Sequence, residues 1–159
     1  MLEIKPIGTI HSPHKTIENM PIQPKGALGV EGFVLLNEEY SEGLKDLDGF
    51  SHIYLIYSLH KAKKTELLVT PFMDTIPRGI FSTRSPARPN HIGISILKLK
   101  KVEKNKVFVE NIDILDGSPL LDIKPYIQNF DEVKESKSGW MKSSQSAVEN
   151  KRSDGRFEW

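Results

Sequence analysis

No cysteine occurs among the 159 residues of this chain. That absence excludes disulfides, thiolate nucleophiles and cysteine-built zinc sites, and it suits a reducing compartment. Long apolar runs are missing as well. The longest lies around Ile53–Leu59, far short of the roughly 20 residues a membrane-spanning helix needs. The start, Met1-Leu-Glu-Ile-Lys-Pro6, lacks the basic, apolar and cleavage segments of a secretion signal, so a cytoplasmic protein is expected. There is no Gly-x-Gly-x-x-Gly turn and no alternation of strand and helix, which argues against a dinucleotide-binding Rossmann domain.

Charge is nearly balanced in total, with a formal net of +1, but it is unevenly spread. Residues 1–59 hold four bases against eight acids, whereas residues 60–106 hold eleven bases against three acids. A basic middle third points to an anionic partner such as RNA or a nucleotide. Lys98, Lys100, Lys101 and Lys104 also lie near an expected hairpin tip, where lysines protect sheet edges.

Apolar alternation and turn residues predict a mainly β chain, a small β-barrel with one or two short helices and long loops. Strands are expected over residues 3–10, Gly32–Leu36, Phe50–His60, Thr65–Met73, Ile80–Thr83, His91–Val102, Lys106–Leu115 and Leu120–Ile127. The His91–Val102 and Lys106–Leu115 segments form a hairpin. Asn37 is placed to cap a helix over Glu38–Leu47. Residues 15–31 form a long irregular segment, and such loops are more often functional than accidental. On Leu120–Ile127, Asp122, Lys124 and Tyr126 share one face. The barrel is expected to occupy residues 1–130. Residues 131–159 read as a polar tail that could dock through Phe157 and Trp159 on the barrel or on a second copy.

The most unusual stretch is Gly79–Gly93, which sets Arg84, Arg88, Asn90 and His91 among Pro86 and Pro89. Two prolines stiffen such a loop, and guanidiniums on a stiff loop suit a carboxylate or phosphate. His11 and His14 have no acidic or cysteine partners nearby, so no metal is expected.

Arg84-Ser-Pro-Ala-Arg-Pro-Asn90 with Ile92-Gly93, Leu115-Asp-Gly-Ser-Pro119 and Asp122-Ile-Lys-Pro-Tyr126 resembles the TsaA/TrmO family of tRNA methyltransferases. Ile7-Gly-Thr-Ile-His-Ser-Pro13, the Gln23-Pro24 loop and Leu47–His52 support the match, which covers roughly residues 3–127. The resemblance implies a small barrel that binds S-adenosylmethionine and acts as a homodimer. It also implies methylation of N6 on a threonylcarbamoylated adenosine beside the anticodon of tRNA. Two positions depart from the family pattern: His91 stands where proline is common, and Ser118 where threonine is common.

On that resemblance, Arg88 or Arg84 would take the cofactor carboxylate, and the other would face tRNA phosphate or the substrate's own carboxylate. Asp116, on the turn with Gly117 and Ser118, would take the ammonium or a ribose hydroxyl. Backbone groups of Gln23, Pro24, Lys25 and Gly26, of His60 and Lys61, and of Ser118, Pro119 and Leu120 would hold the adenine. Asn90, Asp122 or a backbone carbonyl would draw on the acceptor N–H, with Tyr126 on the same face as Asp122. Lys63, Lys64, Arg78 and Lys124 would meet the anticodon loop. The alternative reading is an RNA- or nucleotide-binding barrel without chemistry.

Overall fold

The structure, a computed structural model, describes residues 1–18, 20–72, 74–141 and 152. Six antiparallel strands close into a barrel: β1 (Gly8–His11), β2 (Glu31–Leu36), β3 (His52–Ser58), β6 (Ile92–Glu103), β7 (Lys106–Glu110) and β8 (Ser118–Pro125). Around the barrel the order is β1-β2-β7-β6-β3-β8, and β8 returns to pair with β1. Two short strands, β4 (Leu68–Val69) and β5 (Arg78–Gly79), form a separate ribbon. A single helical turn, α1 (Gln128–Asp131), follows β8.

Alternation decides what fills the barrel. Ile53 and Leu55 on β3, Leu97 on β6, Val107 and Val109 on β7, Ile10 on β1 and Val34 on β2 are all fully buried in one cluster. Each such side chain stabilises the fold by about 1.5–3 kcal/mol relative to exposure. Two bulges keep this pattern in phase. On β8, Ile56 faces Asp122 while Tyr57 faces Leu120, so Leu121 is the extra residue. Without it, Asp122 and Lys124 would fall on the core face. On β6, Leu99 faces Val109 and Lys101 faces Phe108, which makes Lys100 the extra residue. There the bulge returns Val102 to the inner face opposite Val107.

Several expected elements are shorter than the alternation suggests. The Thr65–Met73 strand contracts to Leu68–Val69, and Ile80–Thr83 forms a 3-10 turn over Ile80–Ser82. Polar Lys63-Lys64-Thr65 on one side and Pro71 on the other leave little chain able to pair. The helix over Glu38–Leu47 becomes two 3-10 segments, Glu38–Leu44 and Leu47–Gly49, and the Asn37 side chain caps neither. The first strand begins at Gly8, past Pro6, which lacks a backbone donor. The strand expected to reach Leu115 ends at Glu110, because Asn111 takes a left-handed φ of 68° and turns the chain across the barrel end. Phe157 and Trp159 lie outside the described residues. No helix among the described residues is long and apolar enough to cross a membrane.

One close contact joins the core to the barrel mouth. Gly93 on β6 sits opposite Tyr57 on β3, and a Cβ there would lie 2.6 Å from the Tyr57 ring. Tyr57 is itself buried and hydrogen-bonded, so it has little room to move. Gly93→Ala is therefore expected to cost about 1–3 kcal/mol in urea unfolding. Gly43→Ala, whose methyl meets nothing within 4 Å, should cost under about 0.5 kcal/mol.

Candidate functional site: a basic cavity at the barrel mouth

A cavity of about 980 Å³ opens at one end of the barrel. Its wall is built from the end of β3 and the turn after it (Tyr57, Leu59, His60, Lys61), the Arg84–Arg88 loop, and the crossing segment that holds Asp113 and Ile114. Gln23 and Lys25 come from the irregular segment before β2, and Trp140 from beyond α1.

The arginine loop is held from below by a second small core of Val69, Ile80 and Ala87, with Phe72 against it. Arg88 organises this loop from within. Its Nη1 donates to the carbonyls of Thr83 at 2.9 Å, Ser85 at 3.3 Å and Ile80 at 3.4 Å. Arg84, by contrast, is exposed and donates to Gln23 Oε1 at 2.7 Å, bridging two walls of the cavity. The two arginines, equivalent in the sequence pattern, thus have different positions. One braces the loop while the other points its charge across the mouth.

His91 sits at a φ of 48° and its Nδ1–H donates to the Pro86 carbonyl at 2.9 Å. A proline ring cannot adopt that φ, so the loop ends here in a conformation the common proline would forbid.

Deeper in the cavity lies a chain of three side chains. Ser95 Oγ on β6 donates to Asp113 Oδ1 at 2.7 Å, and the Tyr57 hydroxyl donates to Ser95 Oγ at 3.0 Å. Burial pushes the Asp113 carboxyl up to about 7, against the partial opposition of the Ser95 hydrogen bond and the Arg84 charge. Burial likewise drives the Tyr57 hydroxyl far above its ordinary range, with the Asp113 charge adding to it. His60, also on the wall, is lowered by burial and then by the Lys61 charge. The Ser58 backbone partly opposes this by hydrogen bonding, yet the ring's Nδ1 is buried with no close partner among the described residues, and such an atom costs free energy until a ligand or water meets it.

Of the residues singled out from sequence, Gln23, Lys25, His60, Lys61, Arg84, Arg88 and Ser118 line this cavity. Others stand elsewhere. Asp122 pairs with Lys124 at 3.1 Å on the outer face of β8, and Tyr126 packs beside His52 and Tyr54 there. Asn90 is exposed in the turn before β6 and is not part of the wall. Asp116 accepts the Ser12 N–H at 3.0 Å and pairs with Lys15 at 3.0 Å. Burial alone would raise its pKa, but these partners and His11 outweigh it and hold the carboxyl below its ordinary value. Gly117 has a left-handed φ of 83° and donates to Ile10, Pro119 pairs with Thr9, and Leu120 is core. Pro24 and Gly26 belong to the 3-10 turn Pro24–Ala27 and do not line the cavity. Lys63 and Lys64 are exposed, and Arg78 is bound to Asp74 at 2.7 Å and lies over Trp140. Among the described residues no group of three metal-binding side chains occurs.

Tyr57, Ser95, Asp113 and Trp140 were not anticipated. Asp113 falls between Ile112 and Ile114 and reads as the outward position of an alternating strand. Only the departure of the chain from the sheet after Glu110 turns it inward.

These features define a small antiparallel barrel carrying a nucleotide-sized, basic cavity at one mouth. Residues 9–132 match the model of the tRNA-methyltransferase O N-terminal domain. The chain is 48% identical over 157 residues to a probable S-adenosyl-L-methionine-binding protein of Pyrococcus abyssi, spanning 99% of this chain and 85% of that one. It is 36% identical over 136 residues to the mouse tRNA (adenine(37)-N6)-methyltransferase, covering 80% of this chain but 31% of the mouse protein. The crystal structure of TrmO from Pseudomonas aeruginosa superposes with a TM-score of 0.76 at 32% identity, covering 89% of this chain and 63% of that one. The chain belongs to the tRNA-methyltransferase O family.

Between about pH 4 and 7 the folded protein keeps a proton on Asp113, raised from 3.8 to about 7, that the unfolded chain releases. Its contribution to stability is therefore lost as pH rises through that window. Asp113→Asn, which cannot ionise, should gain stability relative to the unaltered protein between pH 5 and pH 8 in urea melts.

Proposed function

We propose that this protein transfers a methyl group from S-adenosylmethionine to N6 of an adenosine in tRNA. The observation that carries the reading is the cavity itself, a basic wall with an unsatisfied buried imidazole nitrogen, in a chain of this family. Relatives bear the names of S-adenosyl-L-methionine-binding proteins and of tRNA (adenine(37)-N6)-methyltransferases, which supports both the donor and the acceptor. The named methyltransferases of mammals are about three times longer than the stretch matched here.

The residues present fit the donor. A volume of about 980 Å³ lies near the upper end of ligand cavities, which run to roughly 1,000 Å³. Arg84, with Lys25 and Lys61 on the same wall, offers charge to the donor's carboxylate. Leu59, Ile114 and Leu115 supply apolar surface for the adenine, and His60 Nδ1 supplies an unused polar atom. When bound, the donor supplies a methyl group already activated by a positive sulfur. The chain's own task is then to hold two reactants in line and keep water out.

The finer substrate we infer is adenosine 37 in the anticodon loop, carrying a threonylcarbamoyl group whose carboxylate Arg84 or a neighbouring cation would meet. Unstacked loop bases are the usual target of sequence-specific RNA recognition. Lys63 and Lys64 are exposed and suit the phosphates, and Arg78 and Lys124 stand near acids that would have to share them. A homodimer is supported by the outer face of β6. Ile92, Ile94 and Ile96 are 37%, 50% and 41% exposed in one stripe beside Tyr54, with Ile92 and Ile94 also bordering the cavity, a pattern that marks interaction surfaces. Light scattering giving the mass of a single chain would end that part of the reading. Residues 131–141 reach back to the cavity, where Trp140 Nε1 donates to the Ser82 carbonyl at 2.7 Å. We assign it to the cavity rim.

Calorimetric titration with S-adenosylmethionine tests the site. Saturable binding is expected, and Arg84→Ala should weaken it about tenfold or more, the loss of a charged hydrogen-bonded pair, with an unchanged melting temperature. Arg88→Ala should weaken binding and also lower the melting temperature, because it removes the brace of the loop. Full affinity in both variants would refute the placement of the carboxylate.

A further inference from the structure

We propose that Asp113 is the proton acceptor of the reaction, held in place by Ser95 and Tyr57. The inference rests on the methyltransferase reading above and goes beyond it by assigning the base.

Three observations support it. Asp113 is the one carboxylate among the described residues that line the cavity. The other polar groups considered for this role, Asn90, Asp122 and Tyr126, are not on that wall. Second, the carboxylate is oriented rather than solvated: Ser95 Oγ donates at 2.7 Å, and Tyr57 in turn donates to Ser95 at 3.0 Å. Tyr57 is kept protonated by its own burial, so this chain of hydrogen bonds has a fixed direction and Tyr57 does not compete for the proton. Third, the close approach of Gly93 to the Tyr57 ring leaves that ring little freedom, so the orientation is built into the β3–β6 pairing.

The groups that face this carboxylate are Tyr57 from β3, Ser95 from β6 and Arg84 from the loop. His60, Lys61, Lys25 and Arg88 stand on the same cavity wall. An acid poised near neutrality suits a group that must accept a proton and release it again in each turnover. As the N6–methyl bond forms, the sulfur–methyl bond breaks and its electron pair stays on sulfur, leaving a neutral thioether. N6 then carries one proton too many, and that proton passes to the Asp113 carboxylate. The resulting acid later returns it to water. A cation in the same cavity favours the carboxylate, and its neutralisation favours the acid, so the electrostatics run in the direction of the transfer.

The test compares the unaltered protein with Asp113→Asn and Ser95→Ala in three measurements: donor affinity by calorimetry, the carboxyl titration of ¹³C-labelled aspartate by NMR, and the pH profile of methyl transfer to tRNA. The account expects one carboxyl titrating near 7 that is missing in Asp113→Asn. Donor affinity in that variant should stay within about threefold, while transfer falls about a hundredfold or more and its rising limb near pH 7 disappears. Ser95→Ala should shift that limb to higher pH, because the lost hydrogen bond had favoured the carboxylate. Transfer at the normal rate in Asp113→Asn would overturn the assignment. So would a large loss of donor affinity without loss of the pH limb, which would make Asp113 an anchor for the donor's cation. No transfer to tRNA by the unaltered protein would overturn the functional reading itself, and the assignment with it.

Discussion

Pairing of β1 with β8 closes the barrel, and the geometry of the mouth follows from that seam. Gly8, Thr9 and Ile10 meet Leu120, Pro119 and Ser118. Just beyond the paired residues the chain is tied again: Gly117 N–H donates to Ile10 and Asp116 N–H to His14, each at 2.8 Å. Asp116 adds its side chain to the knot through Ser12 and Lys15. The segment from Asn111 to Ser118 is thereby drawn across the end of the barrel instead of running out along a strand, and this path delivers Asp113 into the cavity. The Asp116–Ser118 turn ties the end of the barrel in this structure.

The second constraint is the division of labour between the two arginines of the loop. A loop with two prolines still needs something to hold its floor. Ile80 and Ala87 do this by burial, and Arg88 by capping inward-facing carbonyls. Arg84 is then free to bridge to Gln23 and carry charge at the mouth. The brace of the loop and the exposed charge are thus carried by residues four apart.

Much of the barrel was legible in the amino-acid order because alternation has a simple physical cause. β6, β3 and β8 stand close to their expected bounds, while β7 starts where expected and stops short at Glu110. The outward face shared by Asp122 and Lys124 is as expected too, although it depends on the bulge at Leu121, which no periodicity announces. What was not legible is long-range. Nothing local distinguishes Arg84 from Arg88, or tells that Asn111 takes a left-handed φ and so brings a half-buried Asp113 to the cavity wall. The Tyr57–Ser95–Asp113 chain joins three segments far apart in sequence, and only closure of the barrel brings them together. Of the residues the family motifs single out, Arg84, Arg88 and Ser118 line the cavity, whereas Asn90, Asp116 and Asp122 stand outside its wall.

The central claim is that this cavity brings a methyl donor and a tRNA adenosine together. The most direct measurement is incubation of the protein with S-adenosylmethionine and total tRNA, followed by digestion to nucleosides and mass spectrometry. The account predicts a gain of one methyl group on N6 of an adenosine derivative, dependent on the protein and on the donor. Unchanged tRNA in the presence of a protein that binds the donor would contradict it and leave a binding barrel without chemistry.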